Sequence, residues 1–91
     1  MQIELLETFR AQVREMPKAR RREIARVIDA TRAGFGKPHL HSGLSIRRLR
    51  QNYFECRVGS DIRLAFRVER GRMIFVAAGS HNEIRKLIKT L

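Results

Sequence analysis

Apolar residues in the first third of the chain recur at spacings of three and four. Ile3, Leu6, Phe9, Val13 and Met16 form one helical stripe, and Ile24, Val27 and Ile28 form a second. Met16-Pro17 separates them, because proline disfavours helix at the residue before it and suits the first turn of the helix after it. Ala33-Gly34-Phe35-Gly36 ends the second stripe, so the pattern predicts a helical hairpin. The segment KPHLHSGL, residues 37–44, has no clear period and reads as a loop. Beyond it the period changes to two. Strands are predicted near 45–50, 53–58, 61–68 and 72–78, joined by short linkers as in an antiparallel meander. Ser80-His81-Asn82-Glu83 fits a capping box and precedes Ile84, Leu87, Ile88 and Leu91 at helical spacing. A short C-terminal helix follows, with Ser80 as N-cap and His81 as its first residue.

The stretch YFECRVGSDIRLAFRV, residues 53–68, fixes a register. Paired residues of antiparallel strands point to the same face. A two-residue turn would set Cys56 against Arg63 and mix apolar with charged positions. A three-residue loop, Gly59-Ser60-Asp61, pairs Val58 with Ile62, Cys56 with Leu64 and Phe54 with Phe66. On the other face it pairs Arg57 with Arg63 and Tyr53 with Arg67. The apolar face is expected to pack on the helices, with Phe54, Leu64, Phe66 and Val68 meeting Leu6, Phe9, Ile24 and Ile28. The 72–78 strand is apolar on both sides and is expected to be central.

Charge changes the picture more than size does. The net charge is +11, and residues 37–91 carry +8 of it. Sixteen of the twenty basic residues are arginine, whose planar fork grips phosphate or carboxylate through two hydrogen bonds. Such a field suits a polyanion. The run Ala19-Arg20-Arg21-Arg22-Glu23 reads as a solvated helix face, with a nucleic-acid patch as the alternative. Two facing arginines repel. Either Glu55 and Asp61 neutralise them in a surface network, or the pair holds a phosphate. Cys56 is the single cysteine, so no disulfide forms within one chain. MIFVAA is far too short to cross a bilayer and no basic-then-apolar leader opens the chain, which leaves the cytoplasm as the default compartment.

The segments CRVGSDIRLAF, residues 56–66, and GSHNEI, residues 79–84, with the helices before them, resemble the RelE/ParE superfamily of type II toxin–antitoxin toxins. The resemblance covers nearly the whole chain. It implies one domain over residues 1–91, of class α+β: an N-terminal helical hairpin packed on a curved four-stranded antiparallel sheet, with a short C-terminal helix. In the RelE branch it implies a ribosome-dependent mRNA endonuclease acting in the A site. It also implies an acidic antitoxin partner, a heterotetramer with it, and no cofactor. Arg63 stands at a phosphate-gripping arginine position, Arg57 at a variable basic position, and Asp61 and His81 at the acidic and histidine positions of YafQ-type relatives. His39 or His41 corresponds to a further histidine there. Arg85 replaces an aromatic residue, and Glu55 stands where lysine-using members carry lysine.

Metal-independent RNA cleavage needs a base at the 2′-hydroxyl, cations for the developing phosphorane charge and an acid at the leaving oxygen. His81 and His41 are the proton-transfer candidates; Arg57, Arg63 and Arg85 are the cations, with Asp61 beside them. Lys37, His39, Arg47, Arg48, Arg50 and Arg67 are candidate RNA contacts. Zinc through His39, His41, His81 and Cys56 is disfavoured, because Cys56 belongs to the core face. Two other readings stay open: a ParE-like toxin acting on DNA gyrase, and a non-toxic nucleic-acid-binding relative.

Overall fold

The computed structural model describes residues 1–91, the side chain of Ser42 apart. The chain runs β1 (Gln2–Leu5), α1 (Glu7–Arg14), α2 (Lys18–Gly34), α3 (Pro38–Leu44), β2 (Arg47–Arg50), β3 (Tyr53–Val58), β4 (Ile62–Glu69), β5 (Arg72–Gly79) and α4 (His81–Lys89). The sheet has five strands in the order β1-β5-β4-β3-β2. The four-stranded meander is present as β2 to β5. A fifth strand joins it, because β1 pairs parallel with β5, Gln2 opposite Arg72 and Leu5 opposite Phe75.

The helical stripe begun at Ile3 is therefore two elements. Residues 2–5 are extended, and the helix starts only at Glu7. Ile3 and Leu5 reach the core from a strand, where parity rather than helical spacing decides the side. α1 ends before Met16-Pro17 as the sequence indicates. Pro17 sits at the N-cap of α2, one residue earlier than expected. α1 packs against β5, and α2 against β3 and α3; residues of both helices line one shared groove. The supposed loop at 37–44 is helical from Pro38, whose missing N–H suits a first turn.

The β3–β4 register agrees with the parity argument at every pair, Arg57–Arg63 and Cys56–Leu64 included. The core fills the face toward α1 and α2. Phe9, Ile24, Cys56, Leu64, Phe66 and Phe75 are buried there, with Ile28, Phe54 and Val68 packed at its margin. Phe66 lies 5.1 Å from Phe75 and 5.7 Å from Phe54 between ring centroids. Leu6 is not part of this core; it lines a groove on the other side of the sheet.

β5 is an interior strand, between β1 and β4 rather than at the centre of the sheet, and Met73, Ile74 and Phe75 are buried as its two apolar sides suggest. Its pairing with β4 slips beside Val76: Ala65 faces Ala77, whereas Phe66 faces Phe75. β1 reaches only to Phe75, and the N–H of Ala78 instead donates to Gln12 Oε1 of α1 at 2.8 Å. After Gly79 the chain turns and α4 folds back over the second face. Ile84 is buried on Ala65 and Ala77, whose small side chains let the helix approach. No helix among the described residues is long and apolar enough to cross a membrane.

Candidate RNA-cleavage cleft

α4 covers only part of the second face. The rest is an arginine row flanked by other polar groups. Arg57 on β3 faces Arg63 on β4, and Arg63 faces Gly79 on β5. One row away along the strands, Arg47, Glu55, Ala65 and Ala77 stand side by side. α3 closes the side of these rows and leaves a cleft of 510 Å³ lined by His41, Ser45, Arg47, Glu55, Arg57 and Arg63, with Pro38 and Ile46 at its margins.

The cations in the cleft are held in place. Arg57 Nη2 donates to Ser45 Oγ at 3.1 Å. Arg47 Nη2 lies 3.2 Å from Glu55 Oε2, and the Glu55 side chain is 5% exposed against 67% for Arg47. Arg63 Nε is buried with no partner among the described atoms, and the same is true of His81 Nδ1. Buried polar atoms are rarely left unpaired without reason. Arg63 is paired with Gly79, and His81 follows Gly79 by two residues in the chain, outside the residues that line the cleft.

His81 is fixed by its neighbours. Ser80 Oγ accepts from the Glu83 N–H at 3.1 Å, and Glu83 Oε1 accepts from the Ser80 N–H at 2.8 Å. That capping box holds the first turn of α4 where the sequence places it. The Ser80 N–H, and after it the Ser80 hydroxyl, hold the Glu83 carboxyl below the usual glutamate range. A Cβ on residue 79 would come within 3.1 Å of Glu83 Oε1, so a glycine there lets the box close against the strand end.

His41 reaches the cleft, but its Nε2 accepts from the Gly36 N–H at 3.1 Å and its ring lies near Phe35. In the neutral ring the proton then sits on Nδ1, which makes His41 a donor rather than an acceptor. Arg85 is not in the cleft; it shares the outer side of α4 with Asn82, Lys86 and Lys89. Asp61 is turned toward α2, with Oδ1 3.1 Å from Arg20 Nη2, and serves as a tether. Lys37, His39, Arg48 and Arg50 are exposed. Arg48 Nε donates to the Gln51 carbonyl. Arg67 lies beside Glu69 and lines the groove under α4. Cys56 is buried on the opposite face, and burial pushes its thiol up to about 11. It cannot join a metal set with His81, and among the described residues no three His, Cys, Asp or Glu converge.

Two cleft residues were not singled out from the sequence as site members. Ser45 carries no signal of its own. Glu55 does, because strand parity puts it on the Arg57 side. Its pairing with Arg47 depends on the β2–β3 register, which shifts between Arg48 and Arg50 and is not readable from the pattern.

No protein-family model matches the chain, and no curated protein sequence does. Solved structures do match. YafQ from E. coli strain BL21(DE3) aligns at a TM-score of 0.70 and 16% identity, over 90% of this chain and 94% of that one. A chain of the RelB–RelE antitoxin–toxin complex from Methanococcus jannaschii aligns at 0.70 and 21%, over 92% and 96%. A YoeB/ParE toxin from Agrobacterium tumefaciens aligns at 0.69 and 18%, over 89% and 99%. At these identities the likeness is one of fold.

Proposed function

On a fold shared with solved RelE, YafQ and YoeB/ParE toxins over about nine-tenths of the chain, we propose that this protein is the toxin of a type II toxin–antitoxin pair. Its activity is endonucleolytic cleavage of mRNA on the ribosome. The observation that carries the reading is the cleft: Arg57 and Arg63 are paired on one face, Arg63 is paired with Gly79, and His81 follows Gly79 by two residues in the chain.

Two adjacent guanidinium groups repel until an anion joins them, and a phosphodiester is the anion that a +11 surface gathers most readily. Arg57 and Arg63 hold the scissile phosphate and stabilise the charge of the phosphorane. His41 donates from Nδ1. His81 exchanges a proton with the substrate. Arg47, Lys37 and His39 lie around α3 and β2, where the flanking backbone would run. The free protein needs an acidic partner to restrain it. An antitoxin with an acidic segment that folds on binding fits this basic surface.

The test is expression of the chain without any partner, followed by single-turnover cleavage of mRNA, free and on programmed ribosomes. Growth arrest with falling protein synthesis and cut mRNA is the expected result. His81→Gln should cut about 10²–10⁴-fold more slowly and bind RNA normally. Arg63→Ala should bind more weakly and flatten the salt dependence of binding. DNA damage without RNA cleavage would move the protein to a gyrase-directed role. Normal growth with uncut RNA would make it a binding protein.

A further inference from the structure

The cleft has a neighbour. Arg57 and Ser45 line it, and both also line a second cavity of 360 Å³ that lies between α2, the end of α3 and the turn after β3. Their hydrogen bond of 3.1 Å is thus a partition that the two cavities share. Ser45 stands there with φ +56°, a left-handed backbone between the end of α3 and the start of β2. β2 begins at Arg47, opposite Glu55, so its ladder with β3 stops short of Arg57. The second cavity is in the range of small-ligand pockets, roughly 300–1,000 Å³.

Its chemistry differs from that of the cleft. Val27, Ala30 and Leu44 give it apolar walls, and Glu23 is the one carboxylate among its described lining residues. Glu23 Oε1 lies 3.2 Å from Arg20 Nη1, and the same guanidinium holds Asp61. Glu23 Oε2 has no partner among the described residues, although Arg26 and Arg57 line the same cavity. That oxygen lies 3.7 Å from where a Cβ on residue 59 would stand, on the side of the cavity that Gly59 lines. An ionised carboxylate only accepts hydrogen bonds. The cavity therefore offers apolar faces, one free acceptor held in place, and an arginine in common with a phosphate cleft. A nucleobase matches all three, because its faces are apolar, its edge can donate, and its sugar ties it to a phosphate. Unstacked RNA bases are read by their edges in this way. Uracil flanks its single N–H with two carbonyl oxygens, which a carboxylate repels. A base with an exocyclic amino group presents a donor instead, as cytosine N4 does to glutamate.

We infer that this second cavity is a base-recognition subsite. It takes a base bearing an exocyclic amino group, from the nucleotide beside the phosphate held by Arg57 and Arg63. Glu23 Oε2 accepts from the amino group, and Ser45 keeps the Arg57 guanidinium at the junction between base and phosphate. Glu23 then decides which sequences are held, and takes no part in the bond-breaking step. The assignment rests on the reading of the cleft as an RNA site.

The experiment measures binding by fluorescence anisotropy on 2′-fluoro hexamers, which lack the attacking hydroxyl and cannot be cut. Each is oligouridine with a single guanosine, inosine or cytidine at successive positions. Inosine is guanosine without the amino group, and uridine carries a carbonyl where cytidine carries one. At one position of the strand, guanosine over inosine, cytidine over uridine, or both should bind about 10–100-fold tighter. Glu23→Ala should bring that ratio near one while binding every strand at least as well, since a repelling charge is gone. Ala30→Leu keeps the carboxylate and fills the cavity; it should lower the same ratio, which serves the test even if the Glu23 variant does not fold. Equal affinities within both pairs at every position, or a ratio that survives both substitutions, overturn the assignment. Cleavage of ordinary RNA is followed in parallel. RNA that is cut by a protein with no amino preference overturns the subsite and leaves the endoribonuclease reading standing. An amino preference in a protein that cuts no RNA, free or on ribosomes, supports the subsite and overturns the endoribonuclease reading.

Discussion

Replacing Ser80 with alanine removes the oxygen that accepts from the Glu83 N–H at 3.1 Å and leaves the return bond from the Ser80 N–H to the Glu83 carboxylate in place. Loss of an N-cap hydroxyl costs about 0.5–2 kcal/mol, typically near 1. A domain of this length has roughly 5–14 kcal/mol in all, at about 0.05–0.15 per residue. α4 has nine residues, below the roughly 12–15 at which an isolated helix holds in water. Its grip on the sheet is Ile84 against Ala65 and Ala77, with Leu87 and Ile88 at the edge. The loss should therefore show first as opening of the first turn, where His81 sits. Hydrogen exchange at the amides of Glu83 and Ile84 should quicken by about fivefold for about 1 kcal/mol, and the melting temperature should fall by up to about 4–8 °C. The effect has a pH signature. The folded Glu83 carboxyl titrates below its ordinary 4.5, so its contribution is present above that value and is lost as pH falls through the lower folded one. Glu83→Gln should lack this acid-side loss. Unchanged exchange at Glu83 and Ile84 together with an unchanged melting temperature in Ser80→Ala would refute the reasoning and leave the return bond and apolar contact as what holds the first turn of α4.

Phe66→Ala empties the centre of the ring cluster between Phe54 and Phe75 and should cost about 3–5 kcal/mol in urea unfolding; a loss under about 1 kcal/mol would mean that the core recloses around the gap. The Cys56 thiol, raised from 9.0 to about 11 by burial, should resist thiol reagents in the folded protein and react once it unfolds. Because the folded thiol keeps its proton where the unfolded one loses it, stability should fall as pH rises between about 9 and 11. Gly59→Ala should cost about 1–2 kcal/mol in the same urea assay, since residue 59 has φ +62° and a Cβ there would lie 2.8 Å from Arg20 Nη1. Repeating it in an Arg20→Ala background separates the two causes: the backbone strain persists and the contact vanishes.

What the sequence shows clearly depends on local rules. Parity along residues 53–68 admits one register, and the structure has it, because a slip by one residue would send Phe54, Cys56 and Leu64 into solvent. The capping box is legible for the same reason: four consecutive residues specify it. β1 is not legible. Its partner is some seventy residues away, and Ile3, Leu6 and Phe9 fit a helix as well as a strand running into one. α3 is too short for a period to show, since Leu40 and Leu44 are its only apolar pair at helical spacing. At the cleft, Arg57 and Arg63 follow from parity. The exclusion of Arg85 does not, because the side of α4 that meets the sheet is decided by Ile84 on Ala65 and Ala77. The turning of Asp61 toward Arg20 belongs to tertiary packing of the same kind.

The parallel seat of β1 on β5 has a consequence for how the protein is made. Strands β2 to β5 are neighbours in both sequence and space and can zip together in the order of synthesis. Residues 2–5 are made before them and wait until 72–75 have followed before they find this partner. During that interval β1 is an unclaimed strand that competing edges or proteases can capture. The residue that follows β5 and the turn at Gly79-Ser80 is His81. The nascent chain thus acquires its finished sheet and its proposed proton-exchanging histidine at almost the same moment, and the incomplete chain should be inert while it is still vulnerable.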